Sequence, residues 1–496
     1  MAERPHLAVI GAGPAGLAAA LTAARHGLRV TLVDAAAEAG GQFYRRPAAA
    51  LGARRARALH HRWRTWERLS ADLDRQRAAG HLRHLTSHQV WCVTRESGGP
   101  EASGAFIVHA LVGPRQERGV TVRADAVLLA TGGHERVLPF PGWTLPGVLG
   151  AGGAQAMLKS GLVLPGRTVV VAGTGPLLLP VATGLAAAGA RVAALVESAD
   201  PRALARRPRA LAARPGKLAE GAGYAARLLR HRVPFLPRHT VVEAHGGDRL
   251  DGVTVAALDA AGRPRPGSER RLACDTLAVG HGMLAHTDLA ETLGCGLDGL
   301  AVRVDGEQRT DVPGVWAAGE ATGVGGAELA LAEGRIAGRS AAARLTGRPP
   351  DPRSLAADSR ERAALRRFAA ALDAVCAPPV RWAERVTDET VVCRCEEVTA
   401  GTVRAARADL GAGDLRTVKL LTRAGMGWCQ GRMCGPAVAG LAGCAETAVR
   451  RPFAHPVPLG VLAGRDEDGG DGDGCDADGV TDRPERDRPP PDPDQP

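Results

Sequence analysis

The sequence HLAVIGAGPAGLAAALTAARHGLRVTLVD, residues 6–34, contains a short apolar strand, a glycine-rich turn, an Ala- and Leu-rich helix and a second strand. In such a unit Gly11 permits the tight turn, Gly13 lets the backbone approach a pyrophosphate, and Gly16 allows the helix to pack closely on the strand. Asp34 lies 21 residues after Gly13, at the end of the second strand, where a carboxylate can accept hydrogen bonds from ribose hydroxyls. The stretch predicts an α/β nucleotide-binding domain with these four residues at a dinucleotide.

The same pattern is repeated at residues 167–197, RTVVVAGTGPLLLPVATGLAAAGARVAALVE. Gly173 and Gly175 match the first two glycines, but Leu178 stands at the third position, where a large side chain separates helix from strand. Glu197 ends the following strand, and a carboxylate there would favour NAD over NADP. The repeat predicts a second nucleotide-type domain and leaves open whether NAD binds at Gly173, Gly175 and Glu197.

The composition limits the classes of partner. The chain has 496 residues, enough for two or three domains, and an apolar content of 45%. Its formal net charge is +10, but its 63 basic residues include only three lysines, and no basic helix with interleaved aromatic residues occurs. We therefore predict no nucleic-acid partner. We also expect a cytoplasmic protein without secretion signal or transmembrane segment, because both long uncharged runs contain a Gly-x-Gly-Pro turn.

The ten cysteines of a cytoplasmic protein are expected to be thiols or metal ligands. VVCRCEEVTAGTV contains Cys393 and Cys395, and TRAGMGWCQGRMCGPAV, further along the chain, contains Cys429 and Cys434. Four thiolates are the usual ligands of a [2Fe–2S] cluster or of structural zinc. Zinc sites mostly use pairs spaced by two to four residues, so the C-x-C pair favours iron and sulfide. These four cysteines are the predicted metal ligands.

Two later segments resemble the two-dinucleotide-domain flavoproteins. ADAVLLATGG, residues 124–133, is similar to the strand with which the chain leaves their FAD domain, and TDVPGVWAAGEATG, residues 310–323, is similar to their second FAD segment. In that segment the acid after Ala-Gly, here Glu320, meets the ribityl chain. The resemblance implies FAD in the first domain, with further contacts at Gly41, Gln42, Thr131, Gly132, Gly319 and Glu320.

No proton-transfer catalyst is assigned from the sequence. The segment AGGQFYRRP, residues 39–47, lacks the redox-active cysteine pair of disulfide reductases, so thiol–disulfide chemistry is not expected. His134, His281 and His286 are interpreted as ordinary polar residues, because no Ser–His–Asp, paired-carboxylate or H-E-x-x-H arrangement occurs around them. The catalytic residues therefore stay unknown.

A longer series of segments resembles one family: GGQFYRR, FPGWTLPGV, CDTLAVGHGMLAHTDLAETLGC and CRCEEVT…GMGWCQGRMCG. This family is the FAD-binding subunit of opine, hydroxyproline and related amino-acid dehydrogenase complexes and of hydrogen cyanide synthase. The end of the chain resembles the bacterioferritin-associated-ferredoxin-like [2Fe–2S] domain. The resemblance implies an FAD-dependent oxidoreductase acting on CH–NH or CH–NH2 donors. It also implies that the partner is a D-amino-acid-oxidase-like flavin subunit, often with a small ferredoxin-like [2Fe–2S] subunit.

The expected fold class is a Rossmann-like α/β flavoprotein with two dinucleotide-binding domains and a small helical [2Fe–2S] domain at its end. Two alternatives stay open: a stand-alone NAD(P)H-dependent flavin reductase and a zinc-stabilised, non-enzymatic scaffold. The expected domains are a split FAD domain (1–140 and 272–345), an inserted NAD-like domain (141–271), a helical linker (346–388), the [2Fe–2S] domain (389–455) and a disordered acidic tail (460–496).

Overall fold

The computed structural model describes residues 4–54, 56–60, 63–96, 104–445 and 451–464. The strands are β1 His6–Ile10, β2 Arg29–Val33, β3 Leu82–Leu85, β4 Gln89–Arg95, β5 Phe106–Val112, β6 Arg118–Ala124, β7 Ala126–Leu129, β8 Gly133–Glu135, β9 Val148–Gly150, β10 Thr168–Thr174, β11 Arg191–Glu197, β12 Phe235–Pro237, β13 His239–Gly246, β14 Leu250–Ala257, β15 Arg270–Ala273, β16 Thr276–His281, β17 Met283–Ala285, β18 Leu297–Asp298, β19 Ala301–Val302, β20 Val315–Ala317, β21 Val391–Cys393 and β22 Val398–Thr399.

The α-helices follow the same chain order. They are α1 Pro14–Arg25, α2 Trp63–Ala78, α3 Ala151–Gly161, α4 Leu178–Ala187, α5 Pro208–Ala212, α6 Pro215–Arg230, α7 Asp288–Thr292, α8 Gly326–Thr346, α9 Pro352–Val375, α10 Ala400–Ala408, α11 Leu415–Thr422, α12 Gly435–Ala442 and α13 Leu459–Ala463.

The first sheet is parallel, with the strand order β20-β7-β1-β2-β3. Its central strand β1 is buried along its whole length, as expected for a strand covered on both faces. Helix α1 begins at Pro14, directly after the glycine turn, and packs against α8. Gly334 and Gly338 of α8 allow this approach, because a Cβ atom there would overlap the backbone oxygen of Ala15 or Ala19. The sheet therefore places the first glycine turn at its carboxyl edge, where α/β sheets bind ligands.

The second sheet is also parallel, with the order β12-β11-β10-β16-β9. It repeats the strand–turn–helix unit, with β10, the second glycine turn, α4 and β11 in succession. Strand β16 pairs with β10 in this sheet, although residues 272–345 were expected in the FAD domain. The chain therefore leaves the second sheet after His281 and not at residue 272, because β16 fills the position between β10 and β9.

Two antiparallel three-stranded sheets cover the parallel ones. The sheet β4-β5-β6 packs on the first parallel sheet, and β13-β14-β15 packs on the second. Strands β8 and β17 form a short antiparallel ribbon directly after β7 and β16. The cores of both halves are built mostly from Ala, Val and Leu, in keeping with an aromatic content of 3%.

The C-terminal module has its own small core. Helices α10, α11 and α12 and the hairpin β21–β22 surround Val403, Val418 and Val438. Helix α9 precedes this module and packs on α8. The predicted fold class, two Rossmann-like domains with a small helical domain at the end, is confirmed.

Part of the predicted acidic tail can be described. Its first residues belong to the short helix α13, Leu459–Ala463, and residues 465–496 lie outside the described part of the chain. Among the described residues, no helix combines the length and the apolar character that crossing a membrane requires.

Candidate functional site

The first glycine turn exposes backbone rather than side chains. Gly11 has a φ of +100°, and a Cβ atom there would lie 2.3 Å from the carbonyl oxygen of Ala130. A Cβ atom on Gly16 would lie 1.8 Å from the oxygen of Gly11, so helix α1 can begin this close to the turn only with glycine. Gly13 lies against Gly41, where a Cβ atom would be 2.7 Å from the Gly13 Cα. A pyrophosphate can therefore approach the N–H groups at the start of α1.

Asp34, the predicted ribose-binding acid, lies just after the end of β2 beside the first glycine turn. Its Oδ1 accepts a hydrogen bond from the Ala36 N–H at 3.2 Å, whereas its Oδ2 is buried without a hydrogen-bond partner in the described structure. Burial raises the pKa of Asp34, and the backbone N–H groups of Ala36 and Ala12 act against this shift. A buried polar atom without a partner is costly, and a ribose hydroxyl would supply the missing donor. The carboxylate therefore fits a bound dinucleotide.

The turn after β20 carries the second group of predicted FAD contacts. The Gly319 N–H donates to Glu333 Oε2 at 3.0 Å, and the Thr322 hydroxyl donates to the same oxygen at 3.0 Å. Glu333 is fully buried (0% exposed) and forms an ion pair of 2.6 Å with Arg366 of α9. Burial raises the pKa of the neighbouring Glu320. A buried charge persists only when it is paired, so Glu333 and Arg366 hold this turn in place.

Glu333 and Arg366 were not found from the sequence. The sequence carried no clear signal for them, because Glu333 is one of several charged residues of α8 and Arg366 one of several arginines of α9. Gly319 also lies close to the first turn, because a Cβ atom on it would be 2.7 Å from the Ala15 Cβ. The two predicted FAD segments therefore meet at the beginning of α1.

The segment after β7 carries two further predicted FAD contacts, Thr131 and Gly132. The Thr131 hydroxyl donates to the His286 carbonyl oxygen at 2.6 Å, and the His286 N–H donates to the Gly132 oxygen at 3.0 Å. Nothing lies within 4 Å of the position that a Gly132 side chain would occupy. Gln42 is exposed, and its side-chain oxygen accepts a hydrogen bond from Arg45. Thr131 and Gly132 thus border open space, while Gln42 lies at the surface.

The second glycine turn has the same backbone pattern as the first, but the carboxylate beside it is hydrogen-bonded differently. Both oxygens of Glu197 are used within the protein, Oε2 by the Gly175 N–H at 3.1 Å and Oε1 by the Ala199 N–H at 2.9 Å. Glu197 is 8% exposed, and burial raises its pKa to about 7. This carboxylate has no free oxygen of the kind that Asp34 offers.

The end of helix α9 covers the second turn. The Thr174 hydroxyl donates to the Cys376 carbonyl oxygen at 3.2 Å, and a Cβ atom on Gly175 would lie 4.0 Å from the Cys376 Cβ. Burial, with the charges of Glu197 and Asp373 acting in the same direction, raises the pKa of the Cys376 thiol to about 12. Cys376 is therefore a protonated thiol packed over the place where a dinucleotide backbone would approach.

Arg385, nine residues further along, fills the neighbouring crevice. Its Nη1 donates to Thr240 Oγ1 at 2.7 Å, and burial lowers its pKa to about 10. Together with Gly173 and His281 it lines a cavity of about 10 Å³, which is room for about one water molecule. The chain between α9 and the C-terminal module thus covers the carboxyl edge of the second sheet.

The C-terminal module brings the four predicted cysteines together. Cys393 and Cys434 are buried, Cys429 is half-buried and Cys395 is exposed. The Cys434 thiol interacts electrostatically with the thiols of Cys429 and Cys393, and the Cys429 thiol interacts with that of Cys395. The contact with Cys434 lowers the pKa of Cys429, and the contact with Cys429 raises that of Cys434.

No group of three or more His, Cys, Asp or Glu side chains in the described part of the chain is arranged to hold a metal ion. The fit to a two-iron cluster rests on the four-thiol donor set and on the pairwise contacts between sulfurs. Helix α10 begins after its cap Thr399, and α12 begins at Gly435.

Two family models match the chain. Residues 5–342 match pyridine nucleotide-disulphide oxidoreductase, and residues 391–442 match the BFD-like [2Fe-2S] binding domain. The chain is 37% identical over 443 residues to hydrogen cyanide synthase subunit HcnB of Pseudomonas aeruginosa, covering 86% of this chain and 90% of that protein. It is 36% identical over 472 residues to an opine oxidase subunit of Rhizobium meliloti, covering 92% and 97%. The chain belongs to the family of these two subunits.

Membership of this family confirms the predicted resemblance, the oxidoreductase class and the cofactors FAD and [2Fe–2S]. Among solved structures, L-proline dehydrogenase from P. horikoshii shares the fold, with a TM-score of 0.63, 19% identity and 93% of this chain and 81% of that chain covered. The assignment of individual residues to these cofactors stays a prediction.

Proposed function

We propose that the chain is the electron-transfer subunit of a multi-subunit dehydrogenase that oxidises an amino acid, an imino acid or an opine at a CH–NH or CH–NH2 bond. The observation that carries the proposal is that one chain combines a dinucleotide cradle, with the free Oδ2 of Asp34, and a module whose four predicted ligand thiols interact in pairs. The relatives that match it over nearly their whole length are subunits of hydrogen cyanide synthase and opine oxidase.

The predicted residues of the first glycine turn and of the C-terminal module have specific roles in this proposal. Gly11, Gly13 and Gly16 let the start of α1 hold the pyrophosphate of FAD, Asp34 binds its ribose, and Glu320 faces the ribityl chain. The Glu333–Arg366 pair positions the turn that carries Glu320. The four cysteines hold the cluster. When bound, FAD supplies two-electron chemistry and the cluster supplies one-electron transfer.

The substrate is set by a partner in this proposal. No general base for an amine is assigned from the sequence, which suits a chain that receives electrons from a D-amino-acid-oxidase-like flavin subunit. A small ferredoxin-like [2Fe–2S] subunit would complete the assembly. The nine described cysteines are all free, which supports a cytoplasmic location.

A stand-alone NAD(P)H-dependent reductase would need an open second site. The packing of Cys376 on Gly175 and the two internal hydrogen bonds of Glu197 instead support a closed one. We therefore expect NADH to be a poor electron donor. Rapid reduction of the isolated chain by NADH, abolished by Gly175→Val, would favour the reductase instead.

The test compares the chain alone with the chain and its flavin partner. Alone, it should show little amine-dependent dye reduction; with the partner, an amino acid, imino acid or opine should reduce both flavin and cluster. Substrate-dependent dye reduction by the isolated chain would contradict the subunit role. One zinc and no sulfide per chain would support the scaffold.

A further inference from the structure

A buried ion network lies between the first domain and the cluster module. Its centre is Asp288, at the start of α7, whose side chain is 7% exposed. Asp288 Oδ2 lies 2.9 Å from His286 Nε2 and 2.9 Å from Arg432 Nε, and Oδ1 contacts the guanidinium of Arg451. Burial alone would raise the pKa of Asp288, but the hydrogen bond and charge of His286 and the two arginines hold it well below its usual range. The carboxylate is therefore ionised.

On one side this network is tied to the predicted flavin site. His286 is two residues before Asp288, and its backbone is hydrogen-bonded in both directions to the segment after β7. The carbonyl of His286 accepts from Thr131, and its N–H donates to Gly132. The position of Asp288 therefore follows that of Thr131 and Gly132 through a short chain of hydrogen bonds.

On the other side the network holds the cluster loop, residues 425–434, which carries two of the predicted cluster ligands. Arg432 Nη1 donates to the carbonyl oxygen of Cys429 at 3.3 Å, and Arg451 Nη2 donates to that of Gln430 at 2.9 Å. Both guanidinium groups are thus bound at one end to Asp288 and at the other to adjacent carbonyls of this loop. Planar, forked guanidinium groups suit such double contacts.

We propose that Asp288 is a positioning residue that clamps the cluster loop to the first domain through Arg432 and Arg451. This inference rests on the proposed function, in which flavin and cluster exchange electrons, because the rate of that exchange depends on a fixed separation. The two arginines bring two positive charges and Asp288 one negative charge, so the network is net positive beside the loop. Positive charge near an anionic cluster favours its reduced form.

The test is hydrogen–deuterium exchange on the full-length, cofactor-loaded chain. Asp288→Asn keeps the shape and removes the charge that holds both arginines. We expect the amide hydrogen exchange rate of residues 425–434 to rise at least tenfold. The exchange rate of α1 and the FAD content should both stay unchanged. The matched control is Asp251→Asn, which breaks a surface pair with Arg271 in which both side chains are 60% exposed, and should change neither. Unchanged exchange in residues 425–434 of Asp288→Asn would overturn the proposal.

A second variant covers the case in which Asp288→Asn loosens the whole chain. Arg451→Gln removes the contact with Gln430 and one positive charge, so it should raise exchange near Gln430 and shift the cluster's reduction potential to a lower value. Unchanged exchange and potential would overturn the clamp. If no electrons pass between flavin and cluster in the wild type, the proposed function fails. The hydrogen–deuterium exchange experiment still tests the clamp in that case.

Discussion

At the first glycine turn Asp34 keeps one buried oxygen without a partner, whereas at the second turn Glu197 uses both oxygens on backbone N–H groups. At the corresponding second glycines the spacing is equal: a Cβ atom would lie 4.0 Å from Gly41 at Gly13 and 4.0 Å from the Cys376 side chain at Gly175. The two turns follow the same kind of parallel strand and precede the same kind of helix. We propose that the hydrogen bonding of the carboxylate beside each turn, and not the motif itself, separates a cofactor site from a structural repeat here.

The largest effect is expected in the C-terminal cluster module, whose cysteines are separate from both glycine turns. Cys429→Ser should abolish the cluster, because a [2Fe–2S] site needs four thiolates, while FAD stays bound. Iron, acid-labile sulfide and FAD are measured per chain after anaerobic purification. Cys444→Ser is the matched control in the same module and should keep about two irons and two sulfides. Loss of FAD together with the cluster would show that the two sites are not independent.

The next effect should distinguish the two carboxylates directly. Asp34→Ala removes the predicted ribose acceptor and should weaken FAD binding about 5- to 150-fold, the effect of losing about 1–3 kcal/mol. Glu197→Gln alters the corresponding residue of the second domain and should leave FAD affinity unchanged. FAD affinity is measured by reconstitution of the apoprotein. Equal losses in the two variants would remove the distinction between the turns.

The sequence was sufficient for the parts of the fold that depend on local pattern. Strand β1, the glycine turn, helix α1 and Asp34 follow one another within 29 residues, so their geometry is set by neighbours along the chain. The cover of the second turn could not be predicted in this way, because Thr174 and Cys376 are 202 residues apart. The predicted end of the second domain at residue 271 was wrong for a related reason, because the pairing of β16 with β10 depends on long-range register.

Two buried polar residues were missed by the sequence analysis for the same reason. Glu333 and Asp288 each appear in the sequence as one acid among many, and only burial beside arginines from distant elements gives them their roles. The four cysteines could be recognised because their spacing in the sequence is itself the signal. Arg432 lies between two of them, but no sequence pattern identifies its role.

A smaller effect is expected from pH at the covered turn. Burial, together with the charges of Arg385 and Arg136, lowers the pKa of His281 to about 3 from its ordinary 6.5. The unfolded chain then binds a proton that the folded chain does not, so stability falls as the pH drops below 6.5. At about pH 5 the loss from this residue is about 2 kcal/mol. His281→Asn should therefore lose less stability than wild type between about pH 7 and pH 5 in urea unfolding. Equal losses would contradict a neutral His281.

The most direct test of the difference between the two turns is native mass spectrometry of the anaerobically purified chain, before and after addition of NAD. The account predicts a mass excess of about one FAD and one [2Fe–2S] cluster, with the bound nucleotide identified as FAD on denaturation and no further adduct with NAD. A second nucleotide per chain, or an NAD adduct lost in Gly175→Val, would contradict it.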